Sequence, residues 1–221
     1  MNIPKLIVML TYNDMTVQNA YEVFESCKKS SAQYFGFKEE PLELYKMKEL
    51  FKYMKDCGKT TILEVVAYTE EECIKGALIA KKCGCEILMG TIYSDYINEF
   101  CKQNNILYMP FVGKIENRPS ILNGEISDMI DEANYYNNMG TFGIDLLGYR
   151  YTKDAFKLNY ELVRSTNNNV CIAGSINSYE RLKEIKKINP WAFTIGSAFF
   201  ENKFEGTMEE QINKVYKYLR R

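Results

Sequence analysis

Short apolar runs alternate with stretches of helical period along the whole chain, and they do so eight times. The runs are 5–11, 33–37, 60–67, 86–90, 106–111, 141–147, 170–173 and 192–195. Between them lie amphipathic stretches such as 43–55, with Leu44, Met47, Leu50, Phe51 and Met54 on one face. Helix starts are marked as well. Thr69 to Glu72 and Thr207 to Glu210 have the spacing of capping boxes, and Asn177-Ser178-Tyr179-Glu180 is a further cap signal. Strict β–α alternation implies a parallel sheet with right-handed crossovers. Eight units in 221 residues predict closure into a (β/α)8 TIM barrel, a fold that needs roughly 200–250 residues. The alternative is an open, doubly wound sheet. No linker, low-complexity segment or close internal repeat divides the units, so residues 1–221 are expected to form one domain.

Charge and residue usage narrow the function. Lys+Arg 28 against Asp+Glu 29 leave a net charge of −1, so no basic field exists to attract nucleic acid. The longest apolar run near the start, residues 6–10, is far below the roughly 20 needed to span a bilayer and too short for a signal-peptide core. A cytoplasmic protein with no membrane partner is expected. Seven cysteines, odd in number and scattered, suit a reduced compartment. Only Cys83 and Cys85 stand close together, and without histidine a zinc site needs an unusual ligand set. No metal or cofactor is expected. The lack of histidine also removes Ser-His-Asp and Cys-His mechanisms, so proton transfer falls to Lys, Asp, Glu, Tyr or Cys.

The working face of a parallel barrel lies at the carboxyl ends of its strands. Two strands end alike there: Cys171-Ile172-Ala173-Gly174-Ser175 and Phe193-Thr194-Ile195-Gly196-Ser197. Glycine lets the backbone approach an anion closely, and amides with a serine hydroxyl can then surround its oxygens. The seventh and eighth strand ends are a frequent phosphate site in barrels. Gly174, Ser175, Gly196 and Ser197 are therefore the expected phosphate grip, although a single Gly-Ser pair is also ordinary turn punctuation.

The segment from Val170 to Ser175, together with Thr194-Ile195-Gly196-Ser197-Ala198, resembles the closing part of the ribulose-phosphate-binding barrels. That superfamily includes N-acetylmannosamine-6-phosphate epimerases, indole-glycerol-phosphate synthases, phosphogluconate aldolases and phosphosugar decarboxylases. The likeness is specific over about the last fifty residues and architectural upstream. It implies a barrel holding the phosphate of a small sugar-like metabolite at these two turns. Upstream residues depart from the familiar members. Ala173 stands where the epimerases carry an acid before the glycine, and the Asp-x-Lys-x-x-Asp of the decarboxylases is absent. Phe142-Gly143-Ile144-Asp145-Leu146-Leu147 lacks the Schiff-base lysine of the aldolases, and there is no histidine for the metal of pentose-phosphate epimerases.

Other strand-end residues supply the candidate chemistry. Glu64 and Asp145 interrupt apolar strands, where a carboxylate is costly unless paired or hydrogen-bonded. Lys38 follows the second strand, and with either acid it makes a histidine-free pair for moving a proton beside a carbonyl. A lysine whose pKa burial lowers could instead form a Schiff base. Lys38, Glu64 and Asp145 are the candidate catalytic residues. Their plainer readings are a solvated strand end for the lysine and a buried ion pair, with Arg150, for the acids. Asp14, Arg118 and Arg150 are the candidate substrate-binding residues, Arg150 through its planar fork. The loop 112–123, with Gly113, Lys114 and Arg118, has the length of a lid over an anion, or of a solvated insertion. The function expected is metal-independent aldolase, isomerase or epimerase chemistry on a phosphorylated sugar-like molecule. An FMN-binding oxidoreductase and a non-catalytic phosphometabolite-binding barrel are the alternatives. A homodimer is expected only by analogy with other small barrels.

Overall fold

The structure, a computed structural model, describes residues 3–117 and 119–221. Its parallel strands are β1 (Lys5–Met9), β2 (Tyr34–Lys38), β3 (Thr60–Ala67), β4 (Ile87–Thr91), β5 (Leu107–Met109), β6 (Gly143–Leu146), β7 (Asn169–Ile172) and β8 (Ala192–Ile195). They neighbour one another in the order β6-β7-β8-β1-β2-β3-β4-β5. The ends of that order meet through a parallel bridge between Phe111 and Asp145. The amide of Phe142 bonds to the Tyr108 carbonyl at 3.0 Å, and that of Asp145 to the Pro110 carbonyl at 2.9 Å. The open doubly wound alternative is thereby set aside.

The helices are α1 (Ala20–Cys27), α2 (Leu44–Asp56), α3 (Glu70–Cys83), α4 (Asp95–Gln103), α5 (Ile126–Asn138), α6 (Ala155–Ser165), α7 (Tyr179–Ile188), α8 (Ser197–Phe200) and α9 (Met208–Arg220). Thr69 caps α3 by accepting from the Glu72 amide, Ser178 caps α7 by accepting from that of Arg181, and Thr207 with Glu210 closes a full capping box on α9.

Side chains alternate across each strand, so the barrel has two apolar shells. The inner one is Ile7, Met9, Ile62, Ile87, Met89, Met109, Cys171 and Ala192. The larger outer one joins strands to helices through residues such as Phe35, Phe37, Phe51 and Leu88. Tyr34 and Phe142 meet Trp191 edge to face, with ring centroids 5.8 and 5.2 Å apart, and Lys5 sits 5.1 Å from the indole. These rings close the amino-terminal end of the barrel.

Two loops depart from the sequence expectation. Strand 5–11 stops at Met9, and the chain then forms a small hairpin, Thr11–Tyr12 against Met15–Thr16. The loop 112–123 is also a hairpin, Lys114–Glu116 against Ile121–Asn123. Leu122 bridges to Tyr151, and the Gly113 amide donates to Glu132 at 2.7 Å.

Candidate active site

Inward-facing positions near the carboxyl ends of β2, β3 and β6 carry Lys38, Glu64 and Asp145. Lys38 is the last residue of β2, not a residue beyond it, and it is paired in register with Glu64. The lysine Nζ lies 3.7 Å from Glu64 Oε1 and 2.7 Å from Asp14 Oδ1. Room for Glu64 comes from β4: a Cβ at Gly90, whose φ is +89°, would stand 2.9 Å from Glu64 Cγ. The β3–β4 register shifts between Glu64 and Ala67, a local irregularity of the kind that re-aims side chains.

Asp14 comes from the tip of the first hairpin, where Asn13 and Asp14 both adopt left-handed backbone, φ +48° and +67°. Short polar side chains tolerate that conformation. Thr16 anchors the hairpin on β2: its hydroxyl accepts from the Lys38 amide and donates to the Lys38 carbonyl, each at 2.8 Å. Arg150 Nη2 reaches the same Asp14 oxygen at 3.4 Å, while its Nη1 donates to the Ser120 carbonyl at 3.3 Å. Asp14 thus bridges the two cations.

The charges set the protonation. Burial opposes the Asp14 carboxylate, yet Lys38 and then Arg150 outweigh it and hold the carboxyl below its ordinary value. Burial likewise pulls Lys38 down, but Glu64 and Asp14 overcome this and leave the ammonium above its ordinary value. The lowered pKa on which a Schiff-base lysine depends is therefore not met. Asp145 is 1% exposed, and neither carboxyl oxygen has a hydrogen-bond partner. Burial first, and the Glu64 charge second, push its pKa well up against the pull of Lys38. Its surroundings favour the protonated carboxyl over the carboxylate. The reading of Asp145 as an ion-pair partner of Arg150 finds no contact to support it, since Arg150 pairs with Asp14.

The two Gly-Ser turns line the same cavity, of about 490 Å³, as Asp14, Lys38, Glu64 and Arg150. Their glycines have a use beyond the expected approach to an anion. At Gly174, with φ +86°, a Cβ would fall 2.8 Å from Arg150 Cγ; at Gly196 it would fall 2.5 Å from Thr11 Oγ1. Each glycine therefore makes room for a neighbouring loop. The Asn13 amide donates to Ser197 Oγ at 3.2 Å, so the first hairpin links a Gly-Ser turn to Lys38. Ser197 also begins α8, a single turn for which Gly196 is the N-cap.

Several lining residues escaped the sequence reading: Thr11, Asn13, Ser120, Thr194 and Glu201. Only Thr194 carried a signal, as the polar residue of an otherwise apolar strand. Pro119 and Ser120 bring the second hairpin to the cavity, and Tyr68 ties its turn down through Ser120 Oγ at 2.8 Å and the Asn117 carbonyl at 2.9 Å. Lys114 points elsewhere: it is exposed and pairs with Glu116 at 2.7 Å. Arg118 lies outside the described residues. Among the described residues, no group of three or more acidic or thiol side chains comes together as a metal ligand set.

No protein-family model and no curated protein matches the sequence. Solved structures match the backbone. N-acetylmannosamine-6-phosphate 2-epimerase from Clostridium perfringens superposes with a TM-score of 0.67 and 16% identity, over 96% of this chain and 92% of that one. N-(5'-phosphoribosyl)anthranilate isomerase from Pyrococcus furiosus gives 0.68 and 11%, over 98% of both chains. Orotidine 5'-phosphate decarboxylase from Lactobacillus acidophilus gives 0.69 and 11%, over the full length of both. At these identities the likeness is one of fold, that of a (β/α)8 barrel.

Proposed function

We propose that the chain is an enzyme acting on a small phosphorylated, sugar-like metabolite. It moves a proton at a carbon beside a carbonyl, the step shared by isomerase, epimerase and aldol chemistry. The observation that carries this reading is the convergence, in one cavity, of the Lys38–Glu64–Asp14 group with the two Gly-Ser turns. The turns take the phosphate and hold the molecule by its unreactive end. The Lys38 ammonium donates to the carbonyl oxygen and offsets the charge that grows there as the proton leaves. Glu64 takes the proton. Asp14 and Arg150 orient the lysine and the substrate. Burial and the Glu64 charge favour the protonated form of Asp145, which limits negative charge beside Glu64. Fold neighbours named for the phosphate esters they act on support a phosphorylated substrate.

Deuterium exchange into ketose and aldose phosphates in D2O, followed by NMR, tests the reading. Wild-type protein is expected to exchange one carbon-bound hydrogen. Lys38→Met and Glu64→Gln are each expected to lower that rate at least about 100-fold with the circular dichroism spectrum unchanged. Full exchange in Lys38→Met would remove the lysine from the chemistry.

A further inference from the structure

This inference rests on the phosphate-ester reading above and asks what stands at the other end of the substrate. Both cations at the head of the cavity are already engaged by carboxylates of the protein. Lys38 has Asp14 at 2.7 Å and Glu64 at 3.7 Å; Arg150 has Asp14 at 3.4 Å and spends its other terminal nitrogen on the Ser120 carbonyl. Two cations against two carboxylates leave this group with no net charge. The remaining charged residue among the described lining, Glu201, adds a negative one and has Lys203 at 3.5 Å.

Asp14 is built into this place. Its hairpin is pinned at one side by the Thr16–Lys38 double hydrogen bond and at the other by the Asn13–Ser197 bond, and its side chain is only 17% exposed. Among the described residues, a substrate carboxylate arriving here would find no unengaged cation and would face Asp14 and Glu64, like charges close by in a largely buried cavity. A hydroxyl or carbonyl meets the opposite situation. It accepts from Lys38 or Arg150, donates to Glu64 or Asp14, and leaves the charge balance as it was.

We propose that Asp14 is a specificity-determining residue, an internal carboxylate that selects an uncharged hydroxyl or carbonyl head over a carboxylate. The substrate class is then a ketose- or aldose-like phosphate and not a phosphorylated sugar acid or keto acid. Selection by an occupied charge site is discrimination against the wrong ligand more than attraction of the right one.

The matched probes are glycerol 3-phosphate and 3-phosphoglycerate, which share a three-carbon phosphate and differ in CH2OH against COO− at the far carbon. Titration calorimetry on the full chain is expected to give at least tenfold weaker binding of 3-phosphoglycerate. Asp14→Asn keeps a residue suited to the left-handed turn while releasing one cation. In that variant, with its fold checked by circular dichroism, the preference is expected to shrink at least tenfold or invert. Equal or tighter binding of 3-phosphoglycerate to the wild type overturns the proposal, as does an unchanged ratio in Asp14→Asn; both leave the phosphate-ester reading standing. Failure of both probes and of inorganic phosphate to bind overturns that reading and this proposal together.

Discussion

Asp145 presents two unpartnered carboxyl oxygens in the interior of the barrel, an arrangement that costs about 1–3 kcal/mol. Such a group acts on stability. The unfolded chain ionises this residue at about 3.8, the ordinary value, whereas the folded chain retains the proton well above it. Between those two values the folded state binds more protons than the unfolded state, so stability falls as pH rises. The slope this one group contributes approaches about 1.4 kcal/mol per pH unit. Asp14 acts in the opposite sense. Its lowered pKa adds stability above 3.8 that disappears as the medium is acidified through the folded value. Urea denaturation at a series of pH values is expected to give a shallower decline above pH 3.8 in Asp145→Asn than in the wild type. An unchanged decline would mean that Asp145 holds no proton in the fold.

At the scale of elements, Tyr68 supplies two of the bonds that hold the turn of the second hairpin at the cavity. Tyr68→Phe is expected to cost about 0.5–1.5 kcal/mol and to speed amide exchange in Lys114–Glu116 and Ile121–Asn123. KM should rise several-fold while kcat changes less, as befits a cover over the substrate. Unchanged exchange in both strands would mean that other contacts hold the hairpin. The elements differ in how plainly the sequence announces them. The strands at 60–67 and 192–195 have the expected bounds, because an apolar run between turn residues has few other readings. The first hairpin was missed because its strands have two residues each, and Asn13-Asp14 lacks the glycine that usually marks such a turn. The helix α8 is too short for any period to show. Charged residues inside apolar strands were legible as site candidates because burial is costly for them. Asn13 and Ser120 were not, since as polar loop residues they become special only when the fold brings them to Ser197 and Arg150.

For the whole molecule, the two apolar shells leave almost no thiol within reach of solvent. Cys57 is partly exposed and the other six cysteines are buried, with burial pushing Cys27, Cys85 and Cys101 up to about 12. One thiol is therefore expected to react promptly with an alkylating reagent in the native protein, and seven in denaturant, as counted by mass spectrometry. Several promptly reacting thiols in native protein would show the shells to be looser than described. Alternation of strand and helix made the barrel readable at this scale, since eight parallel units with short connections leave little else to form. The aromatic closure by Tyr34, Phe142 and Trp191 was not readable. Those three residues are far apart in sequence and meet only once the ring has formed.

The ring itself is not uniform. Its last join, between β5 and β6, runs through the Phe111–Asp145 bridge and a few flanking amide bonds. Asp145, whose side chain is buried beside Glu64, thus also fastens the barrel with its backbone. If the ring parts anywhere on warming, this join is the natural place, and Asp145 is displaced as it parts. The pairing of β5 with β6 and the placing of Asp145 beside Glu64 are in this sense one mechanical property, and the first slackening of the join would disturb both while most of the helices were still in place.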